Sequence, residues 1–432
     1  MLEPLPFVLE ENPGASRPLR LAVVTETYPP ELNGVATTAS RFVEELRRLG
    51  HQVQLVRPRQ RGSDAGKEEA GFEQFLVRGL AIPRYPDLKL GLPAKRSLER
   101  LWAFRRPDVV HVVTEGPLGW SALQAAAKLK LPVVSDFRTN FHAYSNHYGV
   151  GWLKKPILAY LRKFHNRTLA TLVPTDALRA DLAASGFKRL KVIGRGVDTR
   201  TFDPAFRDEA LRAQWGAAPR DPVLLSVGRL AAEKNLETLV NAWREARRRV
   251  PRAKLVLVGD GPLRRELHKR LPEAVFCGVR SGADLARHFA SGDLFLFPSL
   301  TETYGNVTLE AMASGLAVVA FNYAAAAAAI ANDESGVLVP YGDATEFVAQ
   351  AATLAADLPR ARRFGQAARV EAVGRGWTRL ALELEAVLVA AAEGRVASTA
   401  TSADCAQRTS SIVPSRCSTM PVQLSTQSPQ LR

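Results

Sequence analysis

Between residues 297 and 315 the chain reads Phe297-Pro298-Ser299-Leu300-Thr301-Glu302-Thr303-Tyr304-Gly305-Asn306-Val307-Thr308-Leu309-Glu310-Ala311-Met312-Ala313-Ser314-Gly315. The apolar run Leu294 to Phe297 just before it has the length and composition of a buried strand. Pro298 ends that strand, since proline has no amide hydrogen for the ladder. Gly305 and Asn306 mark a turn and a helix start. Val307, Leu309, Ala311 and Met312 suit a helix, and Gly315 is its stop. Leu316 to Phe321 is a further apolar strand. The unit is strand, loop, helix, strand, and ligands of open α/β sheets bind at the carboxyl ends of the strands. Two carboxylates stand there, Glu302 in the loop and Glu310 within the helix. From spacing alone, a loop cap and a solvated helix residue account for the pair equally well.

The alternation continues outward. Toward the amino end, apolar runs fall at Leu19 to Thr25, His51 to Val56, Asp108 to Val113, Leu131 to Ser135, Leu169 to Val173 and Leu190 to Ile193. An amphipathic helix is expected over Thr37 to Leu49, and a mobile polar loop over Arg59 to Gly71. A second set of strands runs through Pro222 to Val227, Ala253 to Val258, Ala274 to Cys277 and Gly336 to Val339. Such alternation predicts an α/β protein of two doubly wound domains. The expected organisation is a disordered leader (1–18), a first Rossmann-like domain (19–196) and a second (197–374). A last helix (375–395) crosses back to the first domain. The tail, 396–432, is rich in Ser, Thr, Gln and Pro and is expected to be disordered. Gly194-Arg195-Gly196 is read as the hinge.

Composition narrows the function. The 432 residues contain no apolar run long enough for a membrane span. Met1 to Ser16 has no basic residue, unlike a signal peptide. Three cysteines, Cys277, Cys405 and Cys417, form neither a disulfide framework nor a metal spacing, and fit a reducing cytoplasm. Residues 20–196 hold 29 Lys and Arg against 15 Asp and Glu, while 197–374 hold 22 against 21. A basic first half suits a nucleic acid, an anionic membrane surface or an acidic substrate, or is simply a soluble basic surface. No nucleic-acid module accompanies it.

Two glycine turns follow strands in the second half. Ser226-Val227-Gly228-Arg229 leads to Lys234 at a helix start, and Val258-Gly259-Asp260-Gly261-Pro262 repeats the pattern. Gly228 admits a ligand close to the backbone, Arg229 offers a planar fork for phosphate, and Lys234 adds a point charge. Two incidental surface cations would look the same. Neither turn is a Walker loop or a dinucleotide fingerprint. No metal-ligand cluster is found.

Together these segments resemble the retaining glycosyltransferases of family 4, which have the GT-B fold. The likeness rests on Asn33-Gly34-Val35, Gly196-Val197-Asp198, Gly228 to Lys234, Gly259-Asp260-Gly261-Pro262 and Glu302 to Glu310, in family order from about residue 19 to 390. Thr25-Glu26-Thr27-Tyr28-Pro29-Pro30 looks like bacterial α-glycosyltransferases using GDP-mannose or UDP-glucose on lipid or saccharide acceptors. The resemblance implies catalysis by Arg229, Lys234 and Glu302, without a metal or other cofactor. It implies that Glu310 binds the donor ribose, and that Tyr304, Gly305, Asn306 and Val307 approach sugar and phosphate. Gly259, Asp260, Gly278 and Val279 would frame the nucleobase, and Asn33, Gly34 and Val35 would approach the diphosphate. Two positions depart from the pattern. Arg138 stands where relatives commonly carry a His; it is counted with the catalytic residues, expected to face the interdomain cleft and hold a donor or acceptor oxygen, with His142 on the acceptor side. Ala324 to Ala329 replaces a donor-contacting turn. A catalytically weak scaffold, a membrane-surface module and a nucleotide-sugar epimerase are the rival classes. The expected location is cytoplasmic and peripheral on the inner face of the plasma membrane.

Overall fold

The computed structural model describes residues 17–31, 33–60, 64–82, 85–138, 154–302 and 304–394. His142, Thr303, residues 1–16 and the tail lie outside the described residues. Strands β1 (Arg20–Val24), β2 (Gln52–Pro58), β3 (Glu68–Glu69) and β4 (Phe72–Val77) open the chain. A hairpin, β5 (Gly79–Ile82) and β6 (Tyr85–Gly91), follows them. Then come β7 (Val109–Val112), β8 (Val133–Asp136), β9 (Ala170–Val173) and β10 (Leu190–Val192). The first sheet has the order β10-β9-β8-β7-β1-β2-β4-β3, parallel except for the β3–β4 pair. The second sheet uses β11 (Val223–Val227), β12 (Lys254–Val258), β13 (Val275–Gly278), β14 (Leu294–Phe297), β15 (Ala317–Phe321) and β16 (Gly336–Val339). Its order is β13-β12-β11-β14-β15-β16, all parallel. Every residue of β14 and of β15 is buried, as strands covered by helices on both faces require.

Each sheet reverses its strand order once, between β1 and β7 and between β11 and β14. A crevice opens outside the strands at such a reversal. The loops that follow β1, β11 and β14 carry the family motifs.

Three local expectations change. The first helix spans Gly34–Arg48, because the Asn33 side chain caps it by accepting from the Val35 and Ala36 amides. The polar insert is shorter than a loop over Arg59 to Gly71, since Glu68–Glu69 pairs with β4. β4 itself pairs in register with β2, Val53 opposite Phe72.

The chain passes between the sheets twice, and the two crossings lie side by side. Val197 bridges Gly376, and the Val197 amide donates to the Arg375 carbonyl at 3.2 Å. Beyond this point the helix Trp377–Ala392 packs on the first sheet. Leu384, Val387 and Leu388 join Leu21, Val23 and Val43 in one core. Trp377 meets Phe42 edge-on at 5.4 Å, and His51 Nε2 lies 3.0 Å from Glu385 Oε1.

Candidate active site

The two glycine turns meet in space. Gly228 and Gly259 have φ of 152° and 135°, and a Cβ built on Gly259 would lie 1.9 Å from the Gly228 carbonyl oxygen. Backbone bonds from Gly228 to Val258 and from Leu230 to Asp260 join the turns. Gly278 continues the row, accepting from the Gly259 amide at 2.8 Å, and Val279 beside it is exposed. The Asp260 carboxylate bonds the Gly261 amide and pairs with Arg264. Positive φ and backbone contact both forbid a side chain at Gly259. Gly259→Ala is therefore expected to lose about 2–4 kcal/mol of stability. Urea titration measures this, and a midpoint equal to the parent's would refute the close approach.

Arg229 and Lys234 flank the first turn. Arg229 lies 3.7 Å from Glu233 and is part exposed. Lys234 pairs directly with Glu302, although 68 positions separate them. The Ser299 hydroxyl donates to the same Glu302 oxygen at 2.8 Å, holding the carboxylate in place. Four of the expected site residues, Gly228, Arg229, Lys234 and Glu302, thus share one edge.

Gly305, at φ 90°, turns the chain into the helix Asn306–Ala313, which has no side-chain cap. Tyr304 is buried, and its hydroxyl donates to the Arg195 carbonyl at 3.4 Å. Val307 packs on the apolar layer beneath. The Glu310 carboxylate has no hydrogen bond or ion pair among the described residues, and burial pushes it up to about 7. Its placement one turn inside the helix, without a counter-charge, is unlike a solvated surface residue. The polyalanine segment forms a helix, Ala324–Ala329, and the Ala325 amide donates to the Tyr304 carbonyl at 2.7 Å.

From the first domain, the helix Gly34–Arg48 begins against these residues. A Cβ on Gly34 would lie 3.3 Å from Arg195 Nη1 and 3.5 Å from Asn306 Nδ2. The Asn33 carboxamide is committed, its oxygen to the cap and its nitrogen to Thr27 at 2.6 Å. Val35 packs on the first core.

Arg138 does not face the cleft. It is 1% exposed, and Nε donates to Asp136 Oδ2 at 2.8 Å. His111 Nε2 lies 3.0 Å from the other Asp136 oxygen. Burial raises the Asp136 carboxyl, but Arg138 and His111 outweigh it and hold it at about 2. The cost of an unpaired charge pointed to the cleft, but Asp136 pairs the guanidinium inside the protein instead. An aspartate two residues earlier, at the end of β8, supplied the missing signal.

Two groups escaped the sequence. Arg195, read as part of a hinge, is buried between the domains, with Nη1 donating to Asn306 Oδ1 at 3.2 Å. Glu26, at the end of β1, accepts from the Leu118 amide at 2.9 Å. Burial outweighs that bond and, with the Glu115 charge nearby, pushes its carboxyl up to about 7. Beside Arg195, a cavity of about 640 Å³ is lined also by Tyr304, Tyr323 and Arg375. No metal-holding group of three or more His, Cys, Asp or Glu occurs among the described residues.

Comparison with known proteins accounts for this arrangement. Residues 32–201 match the family described as Glycosyltransferase Family 4, and 221–357 match Glycosyl transferases group 1. The chain is 35% identical over 365 residues to a GDP-mannose-dependent alpha-mannosyltransferase of Mycobacterium tuberculosis, covering 83% of this chain and 93% of that one. A protein of the same name from Mycolicibacterium smegmatis is 37% identical over 377 residues, covering 86% and 98%. The sucrose-phosphate synthase of Thermosynechococcus elongatus shares the fold with a TM-score of 0.68 at 20% identity, over 85% of this chain and 97% of that one. Anabaena Alr3699/HepE in complex with UDP and glucose gives 0.66 at 18% identity, over 86% and 99%. Two doubly wound domains facing a cleft define a GT-B glycosyltransferase. The chain belongs to glycosyltransferase family 4, and it is a hexosyltransferase.

Proposed function

We propose that the chain moves mannose from GDP-mannose to a lipid or saccharide acceptor with retention of configuration, UDP-glucose being the alternative donor. The pairing of Lys234 with Glu302 at the glycine turns carries this proposal. In it, Arg229 and Lys234 hold the diphosphate and stabilise the charge that leaves with it. Glu302, freed from Lys234, lies against the sugar. The acceptor hydroxyl attacks the anomeric carbon on the face that the diphosphate leaves, the carbon–oxygen bond to phosphate breaks, and the departing phosphate takes the hydroxyl proton. No protein nucleophile and no resident metal take part. Glycan mass spectrometry after incubation with each donor and a panel of lipid and sugar acceptors tests it. Donor consumed without a new glycoside would refute transfer.

Glu310 is assigned the ribose hydroxyls. Glu310→Gln is expected to weaken donor binding about tenfold to a hundredfold, through loss of hydrogen bonds to a charged group. Because burial raises its pKa, Glu310 favours the fold below the ordinary carboxyl value and loses that contribution as pH rises through about 7. The variant should therefore melt above the parent at pH 8 and with it at pH 5. Equal melting at pH 8 would refute the buried charge.

The first domain is assigned an inner-membrane surface; among the described residues no helix is long and apolar enough to cross a membrane. In the helix Lys154–His165, Leu161 and Phe164 are buried, while Lys155, Arg162 and Lys163 are exposed. Contact would therefore rest on charge, at about 1 kcal/mol per basic residue. Vesicles containing anionic lipid should sediment the protein at low salt and release it at high salt. Equal negligible binding to anionic and neutral vesicles would refute the assignment.

A further inference from the structure

We propose that Arg195 is a third cation of the donor site, placing its guanidinium on the diphosphate oxygens where the two domains meet. This rests on the donor assignment above.

Arg195 is 5% exposed and forms no ion pair among the described residues. Its guanidinium makes two hydrogen bonds, to Asn306 Oδ1 at 3.2 Å and weakly to the Arg138 carbonyl at 3.5 Å. Nε is buried without a partner. The Tyr304 ring lies beneath it at 5.7 Å. A buried cation with neutral partners is costly, and an anion brought by a ligand relieves that cost. Burial, followed by the neighbouring Arg138 charge, already pulls Arg195 down to about 10.

The surroundings are shaped for an anion. The helix Asn306–Ala313 starts beside the guanidinium, and no side chain caps it. The helix Gly34–Arg48 starts from the opposite domain, with Gly34 beside Nη1. The uncapped amino end of Asn306–Ala313 and a guanidinium converge beside Gly34, which favours a doubly charged phosphate group. Arg229 and Lys234 hold the diphosphate from the second domain alone. Arg195 sits on the crossing between the domains, with Gly34 of the first and Asn306 of the second both beside its Nη1. Asn306 occupies the guanidinium until phosphate oxygens replace it.

Calorimetric titration of the full chain with GDP, UDP, GMP and UMP tests this. Arg195→Gln is expected to weaken the preferred nucleoside diphosphate about tenfold to a hundredfold. The corresponding monophosphate should bind as it does to the parent, and the nucleotide-free variant should melt no lower. A parent that binds neither diphosphate overturns the donor assignment and this inference together. A parent that binds, with Arg229→Ala weakened and Arg195→Gln unchanged, overturns this inference alone. So does an equal loss for diphosphate and monophosphate with a lower melting point, which marks a purely structural residue. If Arg195→Gln does not fold, Arg195→Lys keeps the charge and loses the fork. A several-fold loss confined to the diphosphate supports the inference, and parental affinity overturns it.

Discussion

Lys234→Ala lowers turnover by on the order of 10²–10³, with the protein still folded. The estimate follows from removing one electrostatic partner of a charge that develops in the transition state. The ammonium group touches Glu302, so its loss has a second consequence. Glu302 keeps the Ser299 hydroxyl but loses its counter-charge at the place where a dianionic diphosphate must settle. Like charges then oppose binding as well as departure, and both kcat and KM suffer. Lys234→Arg restores charge without the same reach and recovers part of the rate. Steady-state transfer with saturating acceptor measures the effect. Parental turnover in both Lys234→Ala and Arg229→Ala would refute the phosphate site.

Arg138→Ala costs about 3–5 kcal/mol of stability at neutral pH, because it leaves the Asp136 carboxylate buried beside His111 alone. The pH dependence has a definite sign. Asp136 has a folded pKa near 2, below its ordinary 3.8, so the pair stabilises the parent above the ordinary value. That contribution fades as pH falls from 3.8 toward 2, and the gap between parent and variant closes with it. Urea melts across this range measure the closure, and a gap independent of pH would refute the ion pair as its origin. Arg138→His keeps a partial partner and falls between the two in stability. Neither variant should exceed the parent in transfer, since the guanidinium bonds the Ile193 carbonyl, two residues before Arg195. A folded Arg138→His enzyme faster than the parent would show that histidine is the functional residue at this position.

The second domain was legible almost residue by residue. Leu294 to Phe297 and Leu316 to Phe321 are apolar because both faces of a parallel sheet are covered, and such runs survive in sequence as uninterrupted blocks. The strand Phe72–Val77 was not legible. It is Phe-Glu-Gln-Phe-Leu-Val, mostly half exposed, and follows a polar insert that looks like a loop. The strand Tyr85–Gly91 after it carries Pro86, which argues against strand on local grounds. Within the site, spacing places Glu302 and Glu310 but says nothing of partners. The Lys234–Glu302 pair joins two loops from neighbouring strands, and only the strand order brings them together. Arg195 was hidden for a different reason. Flanked by Gly194 and Gly196 it looks like flexible linker, yet its neighbours in space, Gly34 and Asn306, come from opposite domains.

The helix Trp377–Ala392 belongs to the first domain's core while following the second domain in the chain. During synthesis the amino-terminal sheet therefore emerges without the layer that covers Leu21, Val23 and Phe42, and waits for the whole second domain before its fold is complete. The same wiring defines which piece can be exchanged between relatives. A graft that swaps everything after Val197 also replaces the residues facing His51 and Phe42, and mismatches an interior it was never meant to alter. The exchangeable unit is an insert, 198–374, placed between two adjacent strands of backbone at Val197 and Gly376.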